Sequence, residues 1–169
     1  MDLLSHQAEF INSNHVHTAL VGGYRSGKSQ CGTLKTVLKK LAYPGVDVAY
    51  YLPTYRLMKD VAFGKIAQHL TNLKIPYILN ASDYNFITKY GKIICRSMEN
   101  PDSIIGYEVG YSCADEIDTL RQKHANHFFD RAIARLSVPL PNDVPNSFDF
   151  VTTPEGYGFM YDFFVKKKI

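Results

Sequence analysis

One octapeptide constrains this chain more than any other segment. Gly22-Gly23-Tyr24-Arg25-Ser26-Gly27-Lys28-Ser29 satisfies G-x-x-x-x-G-K-[ST] and stands between a short apolar run and an amphipathic one. Glycines at those places let successive backbone N–H groups face one centre, and a helix starting at the lysine adds its positive end, so the segment is suited to cradling phosphates. His17 to Val21 (HTALV) predicts a buried strand ahead of the loop. Lys28 to Ala42 predicts the helix behind it, with Leu34, Val37, Leu38 and Leu41 as its apolar stripe, Lys35, Lys39 and Lys40 outside the stripe, and Pro44-Gly45 as the stop. Lys28 is expected at the β and γ phosphates of a nucleotide and Ser29 on Mg²⁺. Gln30, the next helical residue, joins the loop as a nucleotide contact. Arg25 suits a sensor of the γ-phosphate or a stabiliser of charge in the transition state.

The rest of the chain repeats the strand-to-helix alternation. Val46 to Leu52 reads as a second strand, 55–73 as a helix before Pro76, and 77–79, 85–89 and 92–97 as β segments with a turn at Tyr90-Gly91. Val109 to Ala114 is a further apolar run, 121–136 a helix, and Phe148 to Thr152 a last strand. That order predicts an α/β fold with a mostly parallel central sheet flanked by helices and a small antiparallel insert around 76–97. At 169 residues the chain is read as a single domain, 1–169. Hydrophobic residues at 46% and charged residues at 21% exclude a disordered chain, and no apolar run approaches the roughly 18 residues of a membrane span. Cys31, Cys95 and Cys113 form no CxxC pair, so reduced thiols are expected in preference to a disulfide frame or a zinc knuckle. The chain reads as soluble and not secreted. Its net charge of +3 is too small to establish a polyanion partner, although residues 1–100 carry 12 basic against 6 acidic side chains.

Asp115-Glu116, at the end of an apolar run, supplies the acidic half that a phosphate-binding loop needs for hydrolysis. Asp115 is expected to hold Mg²⁺, with Asp118 as a competing carboxylate, and Glu116 to polarise an attacking water. Gln7 lies fifteen residues before the loop, and its amide is able to pair with both N6 and N7 of an adenine.

Gln7, the loop GGYRSGKS, the segment RSMENPDSIIGYEVGYSCADEID and Thr152-Thr153-Pro154-Glu155-Gly156 together resemble the large terminase subunit of tailed bacteriophages, from Gln7 to about Gly158. The resemblance implies the N-terminal ATPase motor of that family, a P-loop NTPase of the additional-strand catalytic-glutamate (RecA-like) type with ATP and Mg²⁺ as cofactors. The function it implies is Mg-dependent ATP hydrolysis that drives double-stranded viral DNA into a procapsid. By position, Gln7 looks like the adenine-motif residue, Lys28 and Ser29 like the Walker A pair, and Asp115 and Glu116 like the Walker B magnesium and water-activating carboxylates. Thr152 and Thr153 look like the coupling motif that moves the DNA-gripping parts. Implied partners are double-stranded DNA, portal protein, small terminase subunit and further copies of the chain in a ring on the procapsid, in the cytoplasm of an infected bacterium. The fragment alone is expected to be monomeric.

A neighbouring subunit in such a ring can donate an arginine, and Arg96, Arg131 and Arg135 are the possible donors. The family's nuclease domain has no room before Ile169, so a fragment without DNA-cutting activity is expected, with Lys166 to Lys168 near an interdomain linker. The rivals to a packaging motor are a P-loop kinase of a small molecule and a nucleotide-gated DNA clamp without turnover. His15 with His17, and His124 with His127, lack a third ligand nearby and are read as ordinary polar histidines. Residues 157–164 are read as an apolar helix face packed on the sheet.

Overall fold

A computed structural model describes residues 3–166. Seven strands form one sheet: β1 (His17–Val21), β2 (Val48–Leu52), β3 (Tyr77–Asn80), β4 (Asn85–Thr88), β5 (Gly91–Ser97), β6 (Tyr111–Asp115) and β7 (Ser147–Thr152). Their order is β1-β7-β6-β2-β5-β4-β3. The pairs β1·β7, β7·β6, β6·β2 and β2·β5 are parallel, whereas β3·β4 and β4·β5 are antiparallel. The expected parallel sheet with an antiparallel insert is therefore present. The second strand starts at Val48, two residues later than its composition predicts. Val46 and Asp47 instead close the turn, with Val46 N–H donating to Tyr43 O and the Asp47 carboxylate accepting from Lys92 N–H.

Helices cover both faces. On one lie α1 (Ser5–Asn12), α2 (Lys28–Ala42) and α3 (Gly64–Asn72); on the other lies α4 (Gln122–Ile133). The expected helix over 55–73 is one helical passage that opens as a short turn at Tyr55–Leu57 and runs through a π-helical turn, Met58–Phe63, into α3. Val48, Tyr50, Leu52, Tyr111, Cys113 and Val151 pack toward α2 and α3, while Ala49, Tyr51, Ala114, Phe148 and Phe150 pack toward α4. Burial on both faces explains why β2 reads as a continuous apolar run, VAYYL, instead of an alternating one. Phe159, Met160 and Phe163 pack against Phe129 and Phe150, so the 157–164 segment does lay an apolar face on the sheet. Lys167 and Lys168, assigned to a linker from sequence, lie outside the described residues. All three cysteines are free and buried, and among the described residues no helix is long and apolar enough to cross a membrane.

Helix α2 is rotated relative to its apolar stripe. Leu38 is exposed and Leu34 and Leu41 are half-buried, whereas Lys35 and Lys40, expected outside, are buried. Both lysines have internal partners. Lys40 Nζ donates to the carbonyls of Val46 and Tyr43. Lys35 Nζ stands 2.7 Å from Asp149 Oδ2 as an ion pair without good hydrogen-bond alignment, and 4.6 Å from the Phe10 ring centre. Tyr111 Oη donates to the same Asp149 oxygen at 2.9 Å. A buried charge that loses its partner costs about 3–5 kcal/mol, whereas replacing both partners by apolar residues is often neutral. Lys35→Met is accordingly expected to lower unfolding free energy by about 3 kcal/mol or more. Lys35→Met combined with Asp149→Leu should recover most of that loss, and urea denaturation of the two variants checks both outcomes.

Candidate functional site

The parallel arrangement puts the C-terminal ends of β1, β6 and β7 on one edge of the sheet, and the loop between β1 and α2 wraps over that edge. Gly27 forms the N-terminal boundary of α2 with φ 81°, in the left-handed region that favours glycine. A Cβ at Gly27 would come within 2.8 Å of Gln7 Nε2. The Gln7 side chain crosses there from α1, donating to Ser26 O at 3.1 Å and accepting from Leu4 N–H at 3.0 Å. Gln7 thus ties α1 to the loop through its own amide. It also borders, with Leu3, Gln30, Cys31 and Leu34, a hollow of about 190 Å³ beside the loop.

A cleft of about 210 Å³ lies over the loop and is lined by residues 24–30 together with Lys65 and Glu116. Lys28 is 5% exposed, and its Nζ donates to Gly23 O at 2.8 Å. The acidic strand tip reaches this lysine: Glu116 Oε1 is 3.9 Å from Lys28 Nζ, across 88 residues of sequence. Glu116 sits just past β6 at φ 58°, ψ 38°, a left-handed conformation that costs a non-glycine residue about 1–2 kcal/mol. The neighbouring strand end holds it there. Thr153 donates to its carboxylate through N–H at 2.8 Å and Oγ1 at 3.1 Å, Thr152 Oγ1 lies 3.5 Å from it, and Glu116 N–H donates to Val151 O. Thr152 and Thr153 therefore surround Glu116 and do not enter the cleft.

Asp115 is fully buried beneath the start of α2. Tyr50 Oη donates to its Oδ2 at 2.7 Å, the Ser29 hydroxyl faces the same carboxylate, and Oδ1 has no protein partner. The buried Ser26 hydroxyl in the loop also has no partner. An open carboxylate oxygen next to a serine hydroxyl is the donor set that Mg²⁺ takes when phosphates and water complete its shell. Asp118 points elsewhere. Its carboxylate accepts from Met160 N–H at 2.9 Å, on the side of the C-terminal turn. Arg25 is exposed on the cleft rim at φ 61°. Tyr24, 80% exposed, donates to Glu155 Oε1 at 3.3 Å and thereby links the loop tip to the segment after β7.

Arg96, Arg131 and Arg135 do not line the cleft. Arg96 donates to Asp83 O and Asn85 Oδ1, Arg131 pairs with Asp102 at 2.8 Å, and Arg135 has a buried Nε without a partner. His124 bonds Met98 O, His127 meets Asp102, and His17 bonds Phe148 O. Among the described residues no group of three or more His, Cys, Asp or Glu is disposed to hold a metal. A larger hollow, about 530 Å³, lies between β1 and the C-terminal turn and contains none of the loop residues. Chemistry, not size, identifies the site.

Two side chains of the site carry no sequence signal. Lys65 is one helical lysine among several until α3 is docked: His69, one turn on, faces Thr33 Oγ1 of α2 at 3.3 Å, which brings Lys65 to the cleft. Tyr50 is hidden in an apolar strand.

Burial pushes the Asp115 carboxyl up to about 6 from 3.8, against the hydrogen bonds from Tyr50 and Ser29. The unfolded chain therefore releases this proton first as pH rises. Keeping Asp115 ionised costs the folded state nothing below pH 3.8, and the cost grows to its full value above about 6. A shift of that size corresponds to about 3 kcal/mol. Asp115→Asn removes it, so the nucleotide-free variant is expected to exceed the native chain in urea stability by about 1–3 kcal/mol at pH 8. The difference should close as pH falls toward 4. Equal stabilities at pH 8 would contradict the burial penalty.

No protein-family model matches the chain, and no curated protein matches it by sequence. Solved structures do match. A large terminase from a thermophilic bacteriophage superposes with TM-score 0.76 at 14% identity, over 99% of this chain and 42% of that one. The large terminase ATPase domain of Thermus phage P74-26 gives 0.73 at 17%, over 96% and 69%. The N-terminal domain of the DNA packaging ATPase from bacteriophage phi29 gives 0.68 at 12%, over 94% and 84%. The thermophilic phage enzyme has also been solved with ATP-gamma-S and with ADP. This chain spans about two fifths of the length of that enzyme. At such identities the likeness establishes the fold, the RecA-like P-loop architecture of terminase ATPase domains.

Proposed function

From that shared fold we propose that the chain is a Mg²⁺-dependent ATP hydrolase whose turnover moves double-stranded viral DNA into a procapsid. The observation that carries this reading is the approach of Glu116 to Lys28 at 3.9 Å, with the open Oδ1 of Asp115 below them. The cleft therefore brings together a lysine for the phosphates and a carboxylate able to take a proton from water, and a second carboxylate for a metal is buried next to it. Mg²⁺, held by Asp115 and Ser29, would neutralise charge developing between the β and γ phosphates. The chain's own residues supply the rest. Loop N–H groups and Lys28 bind the phosphates, Arg25 on the rim answers the γ-phosphate, and Glu116 orients the attacking water and receives its proton. Gln7, Gly27, Gln30 and the small hollow beside them border the loop on the side proposed for the adenine.

Coupling follows from the contacts of Glu116. Its carboxylate is bonded to Thr153 and lies next to Thr152, so any movement of Glu116 toward a water at the γ-phosphate breaks or drags those contacts at the end of β7. Such a linkage passes nucleotide state to the segment after β7. In this reading residues 1–169 act as one ATPase unit. The DNA is gripped through its backbone phosphates with strong salt dependence, and neighbouring copies, portal protein and small terminase complete the motor in the host cytoplasm. An arginine from a neighbouring subunit is worth roughly 10³–10⁵ in phosphoryl transfer, so the chain alone is expected to turn over ATP slowly.

Lys28→Ala is expected to abolish measurable Mg·ATP binding in calorimetry, and unchanged affinity would refute the phosphate role. Glu116→Gln is expected to keep ATP binding and to lower the rate of phosphate release by on the order of 10²-fold or more. Release of phosphate to water without any acceptor supports the hydrolase. Acceptor-dependent ADP formation would support a kinase, and equal turnover by native chain and Glu116→Gln would leave a nucleotide-gated clamp.

A further inference from the structure

We infer that Tyr50 is a positioning residue for the divalent cation: its hydroxyl holds one oxygen of the Asp115 carboxylate so that the other stays turned toward the cation beside Ser29. The inference rests on the proposed nucleotide site and extends it to a residue on a different strand. Tyr50 lies in the middle of β2, fully buried, and pairs in register with Cys113 of β6. Its ring runs along the α2 side of the sheet, and Oη meets Asp115 Oδ2 at 2.7 Å. Helix α2 makes room for that hydroxyl. Gly32 faces it, and a Cβ at Gly32 would stand 3.2 Å from Tyr50 Oη and 2.9 Å from a Val151 methyl.

An adjacent pair shows what is unusual about this one. Two strand positions away, Tyr111 Oη donates to Asp149 Oδ2 in the same manner, and that carboxylate has Lys35 Nζ at 2.7 Å to balance it. Asp115 has the tyrosine, the Ser29 hydroxyl and the burial, with the Lys28 charge acting from farther off. Among the described residues, though, no cationic nitrogen lies within 4 Å of it, and its Oδ1 has no partner. The fold thus builds the buried tyrosine–aspartate pair twice and supplies a cation in direct contact once. The Asp115 carboxyl lies against the first turn of α2, whose second residue is Ser29. A phenol clamped on Oδ2 fixes the carboxylate plane, and groups that orient a metal ligand in this way typically contribute 10–100-fold to metal affinity. Phenylalanine would fill the same space in the core, so packing alone does not call for the hydroxyl.

The test is a Mn²⁺ titration of the ADP-bound chain followed by electron paramagnetic resonance, with native, Tyr50→Phe and Asp115→Asn proteins. Tyr50→Phe is expected to bind Mn²⁺ about 10-fold more weakly while retaining native ADP affinity in EDTA, and Asp115→Asn to lose the protein-dependent Mn²⁺ signal. Native Mn²⁺ affinity in Tyr50→Phe, alongside loss in Asp115→Asn, would overturn the role of Tyr50 and leave the nucleotide site standing. Native affinity in both variants would overturn the metal site itself. Should Tyr50→Phe not fold, 3-fluorotyrosine introduced only at position 50 keeps the hydroxyl. Its ¹⁹F resonance is then expected to shift when Mg²⁺ is added to the ADP-bound chain, and an unchanged resonance would overturn the inference.

Discussion

Everything at the site depends on the parallel pairing of β6 with β7. Asp115 stands opposite Val151 in that ladder, and the same register continues past the strand ends. Glu116 N–H donates to Val151 O, and Thr153 donates twice to the Glu116 carboxylate. Strand β7 also pairs with β1, whose end opens the phosphate loop, and Gly22 N–H donates to Thr152 O. One strand therefore sets the height of both the acidic tip and the glycine loop. A register slip would turn every side chain of β6 to the opposite face and remove Asp115 from beneath Ser29.

Beneath α2 the sheet carries polar side chains where a simple core would be apolar. Tyr50, Tyr111, Asp115, Asp149 and Lys35 are all buried there. The two carboxyls are raised chiefly by burial, and the phenols of Tyr50 and Tyr111 are held well above their ordinary range by the same cause. Such a layer costs stability relative to an apolar one, because each polar group must find a partner in a medium that screens poorly. The partners here are specific, and they determine how α2 lies on the sheet. The helix turns Lys35 inward to Asp149 and presents Gly32 to Tyr50, which fixes the angle at which its first turn, and so Lys28 and Ser29, meets Asp115.

Much of the architecture was legible in the chain order of strand and helix signals, including the antiparallel excursion around Tyr90-Gly91. The outlines of β1, α2, β5 and β7 follow from local spacing, as does the run ending in Asp115-Glu116. The rotation of α2 was not legible, because periodicity treats lysine as a surface residue and cannot see a buried Asp149 more than a hundred residues away. Helix α1 was equally hidden: only Phe10 in it is buried, so it carries little apolar pattern.

The sequence by itself determined the glycine-lined loop with its lysine and serine, the acidic pair, and the alternation that yields a parallel sheet. These are properties of neighbouring residues, governed by backbone freedom and side-chain period. Tertiary structure alone decided that Glu116 is held by Thr153, that Asp118 faces the C-terminal turn, that Lys65 borders the cleft and that Tyr50 touches Asp115. Those contacts join residues tens of positions apart, as far as 65 for Tyr50 and Asp115, or turn on which way one side chain is aimed. Neither is specified until the sheet order and the helix orientation bring the partners together.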